Sequence, residues 1–189
     1  MSAVAAPFGF RPVFHPTGLD RGILRTIASA YGTAIYKGGP VILNTNGTIV
    51  VGTAAADILG IFNGVEYVDS TGKPNYSTFW PAGQVLFTGT EAKAYVWEDP
   101  ATVFEVQANG SLAATAIGDQ ADVVNPGNGN TLLGTSTAAL STTLAGAGSQ
   151  GQFRIYGLSR YEDNAWGDAF TIVQVQIARQ QFVSNKVAV

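Results

Sequence analysis

The sequence predicts an all-β fold, a single β-barrel or jelly-roll-like sandwich, with an extended N-terminal arm over residues 1–18 and a β-rich domain over 19–189. Three observations predict it. Short runs of β-branched and aromatic residues recur every ~8–12 residues, separated by Gly, Asn and Pro turn formers. Several of those runs alternate apolar and polar with the period of two that a half-buried strand requires. No window supports a long capped amphipathic helix, because charged residues make up only 12% of the chain, about half the usual ~25%.

The elements follow in order. The arm holds Pro7, Pro12 and Pro16 among Phe8, Phe10, Val13 and Phe14. Proline removes a backbone donor and disfavours helix in the residue before it. An extended segment with four large apolar side chains lies on its own domain or reaches a neighbour. Arg11, set between Phe10 and Pro12, is a common kind of interface anchor, since Arg and aromatic residues dominate binding hot spots. We therefore take Phe8, Phe10, Arg11, Pro12, Val13 and Phe14 as candidate partner-binding residues, in an arm expected to order against a neighbouring subunit.

From Ile23 onward strands are expected. Residues 40–51 form two β-branched runs around Asn46-Gly47, and residues 103–112 repeat the device at Asn109-Gly110. Asn-Gly suits a tight hairpin turn that needs positive φ at both central residues. Residues 60–68 run into the turn formers of 69–74, and 76–80 and 85–88 flank Pro81-Ala82-Gly83. In 91–98, Ala92, Ala94 and Val96 share one face, and Tyr95 and Trp97 the other. Residues 113–122 are the best candidate for one or two helical turns. Residues 125–151, rich in Gly, Ala, Ser and Thr and free of charge, read as a loop-rich insertion. Two strands close the chain. Phe153 and Ile155 oppose Arg154 and Tyr156 in the first, and Val173, Val175 and Ile177 oppose Gln174 and Gln176 in the second.

Composition excludes several kinds of chemistry. With no Cys, there are no disulfides, thiolate metal sites or Cys nucleophiles. The one histidine, His15, has no ligand or base partner at a defined spacing and reads as structural. Glu98-Asp99 and Glu162-Asp163 are adjacent acids. Neighbours on a strand face opposite ways, so neither pair makes a dyad, and turn or strand-end roles are expected. Gly127-Asn128-Gly129 lacks the Lys and Ser/Thr of a phosphate loop, and no Gly-x-Ser-x-Gly elbow exists. A net charge of −3 with scattered Lys and Arg argues against nucleic acid, which needs clustered cations. No apolar run approaches the ~20 residues of a membrane helix, and the start lacks the basic and apolar regions of a secretory signal. No cofactor or metal is expected. Trp80, Trp97 and Trp166 would form a sugar platform if exposed, or core if buried.

Three segments, in order along the chain, resemble the small β-rich decoration, or cement, proteins of tailed-bacteriophage heads. They are Phe8-Gly9-Phe10-Arg11-Pro12-Val13; residues 117–124 with Gly127–Thr131 and Gly134–Ser136; and Tyr161–Asp163 with Asn164–Asp168. The resemblance implies a non-enzymatic virion protein on the outer surface of the capsid, assembled in the host cytoplasm. It also implies the major capsid protein as partner and a homotrimer at three-fold positions. A head-fibre or tail-associated protein with receptor or glycan affinity is the alternative. An acidic, cation-poor protein also fits the outer rather than the DNA-facing side of a head.

Overall fold

The computed structural model describes residues 2–18 and 21–183. The expected boundary between arm and domain falls at residues 19–20, outside the described residues. The all-β expectation is borne out: 43% of the chain is strand, and among the described residues there is no α-helix and one 3₁₀ turn, Ala114–Ala116, where helical turns were expected.

Two six-stranded antiparallel sheets make up the fold. The first draws on one continuous stretch of chain: β2 (Ile23–Ile27), β4 (Pro40–Leu43), β5 (Ile49–Val51), β6 (Gly60–Val68), β7 (Pro74–Ser77) and β9 (Ala92–Trp97). Its order is β2-β9-β6-β4-β5, with β7 paired to the far end of β6. The second holds β10 (Val103–Gln107), β11 (Gln120–Val124), β14 (Ala139–Leu144), β15 (Phe153–Leu158) and β16 (Ile172–Ile177). It also takes β1 (Arg11–Phe14) from the arm, in the order β1-β10-β16-β15-β11-β14. This sheet curls until Leu140 of β14 bridges Ala108, just past β10. Two short ribbons complete the set, β3 (Ile35–Tyr36) with β8 (Phe79–Trp80), and β12 (Gly129–Asn130) with β13 (Thr135–Ser136).

The packing is layered. Between the sheets lies a cluster built on Phe104, Val106, Val123, Leu140, Phe153, Ile155, Val173, Val175 and Ile177, against which Ile42, Ile61 and Trp97 of the first sheet pack. On the other face of the first sheet, Ile27, Val41, Ile49, Phe62, Val65, Ala92, Ala94 and Val96 form a second cluster, joined by Ile35 and Trp80 of the β3–β8 ribbon. Adjacent Ile61 and Phe62 on β6 thus serve different clusters, because successive strand residues face opposite ways. The face assignments for residues 91–98 and 171–178 hold residue by residue.

Three local expectations need correction. Leu43 pairs with Ile49 across residues 44–48, so the Asn46-Gly47 loop is longer than a two-residue turn. The Asn44 side chain organises it by accepting from the N–H of Asn46 at 2.9 Å and of Thr48 at 3.1 Å. Asn109-Gly110 closes no hairpin, since β10 pairs with β1 and β16; Asn109 Oδ1 instead accepts from Thr142 N–H at 2.9 Å. Residues 125–151 are more than loop. They supply β12, β13 and the edge strand β14, and Ala138, Ala139 and Leu140 are buried.

Candidate partner interface

The arm divides into a buried anchor and an exposed edge. Phe10 is 1% exposed and stacks on Phe153 with ring centroids 4.3 Å apart. Its N–H donates to the Gly38 carbonyl at 2.8 Å. Gly9 sits at φ 73°, and a Cβ there would lie 2.7 Å from Gly38 O. Only glycine fits that conformation and that approach. Phe10 is therefore a core residue of its own domain rather than a partner contact. The expectation that residues 1–18 order only on a neighbour is corrected with it. Burying a Phe is worth ~1.5–3 kcal/mol, and the β1–β10 pairing and the Gln107 side-chain bonds to Val4 O and Ala6 N–H add to it within the same chain.

Phe8 is half-buried, and the Arg11 guanidinium lies 4.0 Å over its ring. Across the β1–β10 pair Arg11 faces Glu105. Glu105 accepts from the Ser159 hydroxyl and, at 2.7 Å, from the Tyr161 hydroxyl. That bond, with burial and the carboxylate charge, raises the Tyr161 pKa above the ordinary phenol value, and Arg11 opposes the shift.

The exposed edge begins at Pro12, which is half-buried and offers no donor. The register slips between Pro12 and Phe14, which makes Val13 a bulge. Bulges and prolines are usual at sheet edges, where they limit uncontrolled pairing. Val13 is 46% exposed and Phe14 52%. Together with Pro12, His15 and Gly18 they line a depression of about 360 Å³.

The turn after β9 clamps this edge and its neighbour. Glu98 accepts from Arg25 of β2 through both Nε, at 2.5 Å, and Nη2, at 2.6 Å. This hydrogen-bonded fork raises the Arg25 pKa further above its already high value, against the opposing effect of burial. Asp99 takes the other strand, with its Oδ2 3.0 Å from His15 Nε2. Since His15 Nδ1 accepts from the Thr17 N–H at 3.2 Å, the proton of the neutral ring sits on Nε2 and points at Asp99. The adjacent acids thus face apart, and each secures one sheet edge. β2 is the edge of the first sheet and β1 of the second. β2 adds exposed Ile23 and Leu24 beside the clamp. No spacing signal links His15 to Asp99, which lies 84 residues away. Nothing in the residue pattern marks Ile23 and Leu24 as exposed, because their exposure follows from the edge position of β2.

At the second acid pair the Asp163 backbone carbonyl is tied to the start of the chain. The Ser2 hydroxyl sits between the Asp163 carbonyl and Asp168, 2.6 Å from the latter's Oδ2. That hydroxyl and the Ala165 N–H hold Asp168 below the usual carboxylate range. Trp80 is fully buried, and Trp97 and Trp166 pack against the inter-sheet cluster, so the three form no surface platform. Among the described residues no group of three or more His, Asp or Glu is placed to hold a metal ion. Comparison of the chain with family models, curated proteins and solved structures finds no match.

Proposed function

We propose that this chain is a non-enzymatic structural protein of a bacteriophage virion, which binds the outer surface of the capsid and bridges neighbouring major capsid subunits. The observation that carries the reading is the outer edge of β1. Among the described residues it is a strand with a partner on one side; it presents Val13 and Phe14 to solvent and is fixed beforehand by Phe10 and the His15–Asp99 contact. Pro12 and the bulge at Val13 limit main-chain pairing there, so a partner would engage the edge through the exposed Val13 and Phe14 side chains and the depression they line. Prior ordering of the edge lowers the entropy cost of binding. A ligand that engages the mature lattice and not its separated subunits stabilises the lattice by mass action. Low surface charge suits a lasting contact, because few ions have to be desolvated. The assembly unit we propose is a homotrimer, on the resemblance to cement proteins.

The test uses heads assembled without this chain. The wild type should bind in many copies, and a Val13→Asp/Phe14→Asp double variant should bind at least about tenfold more weakly, ~1.4 kcal/mol, with its melting temperature unchanged. Equal binding by the two would sink the arm-edge reading.

One observation favours the alternative of a glycan-binding fibre or tail protein. Tyr76 is 82% exposed beside a cleft of about 200 Å³ lined by Glu66, Asn75, Glu91 and Lys93, a ring and polar set suited to a sugar. A glycan array on which the wild type binds and Tyr76→Ala does not would establish it.

A further inference from the structure

The β12–β13 hairpin ends in two consecutive leucines that serve no purpose inside the fold. Leu132 is 94% exposed and Leu133 67%. The tip is nonetheless rigidly built. Asn130 Oδ1 accepts from the N–H of Leu132 at 2.9 Å and of Leu133 at 3.2 Å, and the Gly134 N–H returns to the Asn130 carbonyl at 2.7 Å. Its base is stitched to β3, where the Lys37 N–H donates to Gly134 O at 3.0 Å and the Ser136 N–H to Lys37 O at 2.8 Å. A Cβ on Gly129 would overlap the Tyr36 ring, so the hairpin backbone rests directly on that ring. An apolar tip ordered in advance binds with little further entropy cost.

Its surroundings indicate what would cover it. One small depression is lined by Phe8, Arg11 and Pro12 of the arm together with Lys37 and Thr135 at the base of the hairpin. The base of the hairpin that carries the two leucines therefore adjoins the arm. Arg11 and Lys37 are both exposed there; Arg11 faces Glu105 across the strand pair, while Lys37 has no ion pair among the described residues and no carboxylate lines the depression. On a chain of net charge −3, this is a locally cationic patch beside an apolar knob.

We infer that Leu132–Leu133 is a plug for an apolar pocket rimmed by carboxylates on the partner protein, with Arg11 and Lys37 answering the rim. The inference rests on the capsid reading and specifies the chemistry its partner surface must have. A lipid surface is the poorer fit, because two leucines with neither aromatic residues nor a basic cluster at the tip make a weak membrane anchor.

The experiment compares full-length wild type, Leu132→Ser/Leu133→Ser and Lys37→Gln on heads assembled without this chain, with neutral phosphatidylcholine vesicles as a second surface. The leucine variant should melt with the wild type and bind heads at least about tenfold more weakly. Lys37→Gln should weaken binding less and flatten its salt dependence. Full head affinity in the leucine variant, while Val13→Asp/Phe14→Asp is impaired, overturns the plug and leaves the capsid reading standing. Loss of vesicle binding with head binding intact overturns it in favour of a membrane. A wild type that binds no heads overturns the capsid reading and this inference together.

Discussion

The two sheets differ in how they are assembled. Every strand of the first comes from residues 23–97, and its own core draws on the same stretch. The second is incomplete without β1, carried in from residues 11–14, and its core includes Phe10, Ile58 and Ile61 from outside its own stretch of chain. A sheet built from neighbouring segments needs only local chain closure, whereas one that recruits a remote strand ties the chain terminus into its core. The difference shows why the arm cannot be divided cleanly into tail and domain. Within a few residues it passes from a fully buried aromatic stack to an exposed sheet edge.

The sharpest test of that comparison is Phe10→Ala. Truncating a buried Phe costs ~3–5 kcal/mol, and the loss should fall on the second sheet. Hydrogen exchange should show lost protection in β10, β15 and β16, with β4, β6 and β9 kept. Equal loss in both sheets would mean that they unfold as one unit. For the same reason, deleting residues 2–14 should destabilise the protein, because it removes both Phe10 and β1 from the second sheet.

The clamp ranks next. Glu98→Gln leaves Arg25 without its carboxylate in a part-buried position, at a cost of about 1–3 kcal/mol. Denaturant titration should register the change, and the β2 edge should lose order before β1, which Asp99 holds independently.

Acid should affect the first sheet through its β6–β7 loop. There Asp69 accepts from the Thr71 hydroxyl, the Asn75 amide and the N–H groups of Thr71 and Lys73. These bonds, led by the Thr71 hydroxyl, lower its pKa to about 2, below the ~3.9 of an unfolded chain. A depressed carboxylate contributes stability that is present above the unfolded value and lost as pH falls through the folded one. The loop should therefore loosen between about pH 4 and pH 2, and Asp69→Asn should remove that pH dependence. NMR titration of the Thr71 and Lys73 amides reads it directly.

The smallest effect on stability belongs to Phe14→Ser, within about 0.5 kcal/mol because the side chain lies on the surface. Set against Phe10→Ala, it separates the two halves of one arm. A large loss of stability in Phe14→Ser would show that the edge is structural as well.

The residue pattern settles the secondary structure class and most strand faces, because both follow from short-range order. Val173, Val175 and Ile177 alternate with glutamines, and a period of two permits only one arrangement against a core. It marked the arm as apolar and the adjacent acids at 98–99 as strand-end groups. It did not determine that Phe10 turns inward while Phe14 turns out, since both are phenylalanines in the same Pro-rich stretch. That outcome depends on Phe153, on the Gly38 carbonyl and on the lack of a Cβ at Gly9. Nor did it pair His15 with Asp99, or place the base of the hairpin that carries Leu132 and Leu133 beside Arg11 and Lys37. Those proximities span roughly a hundred residues of chain, and only the closing of the second sheet over the first brings them together.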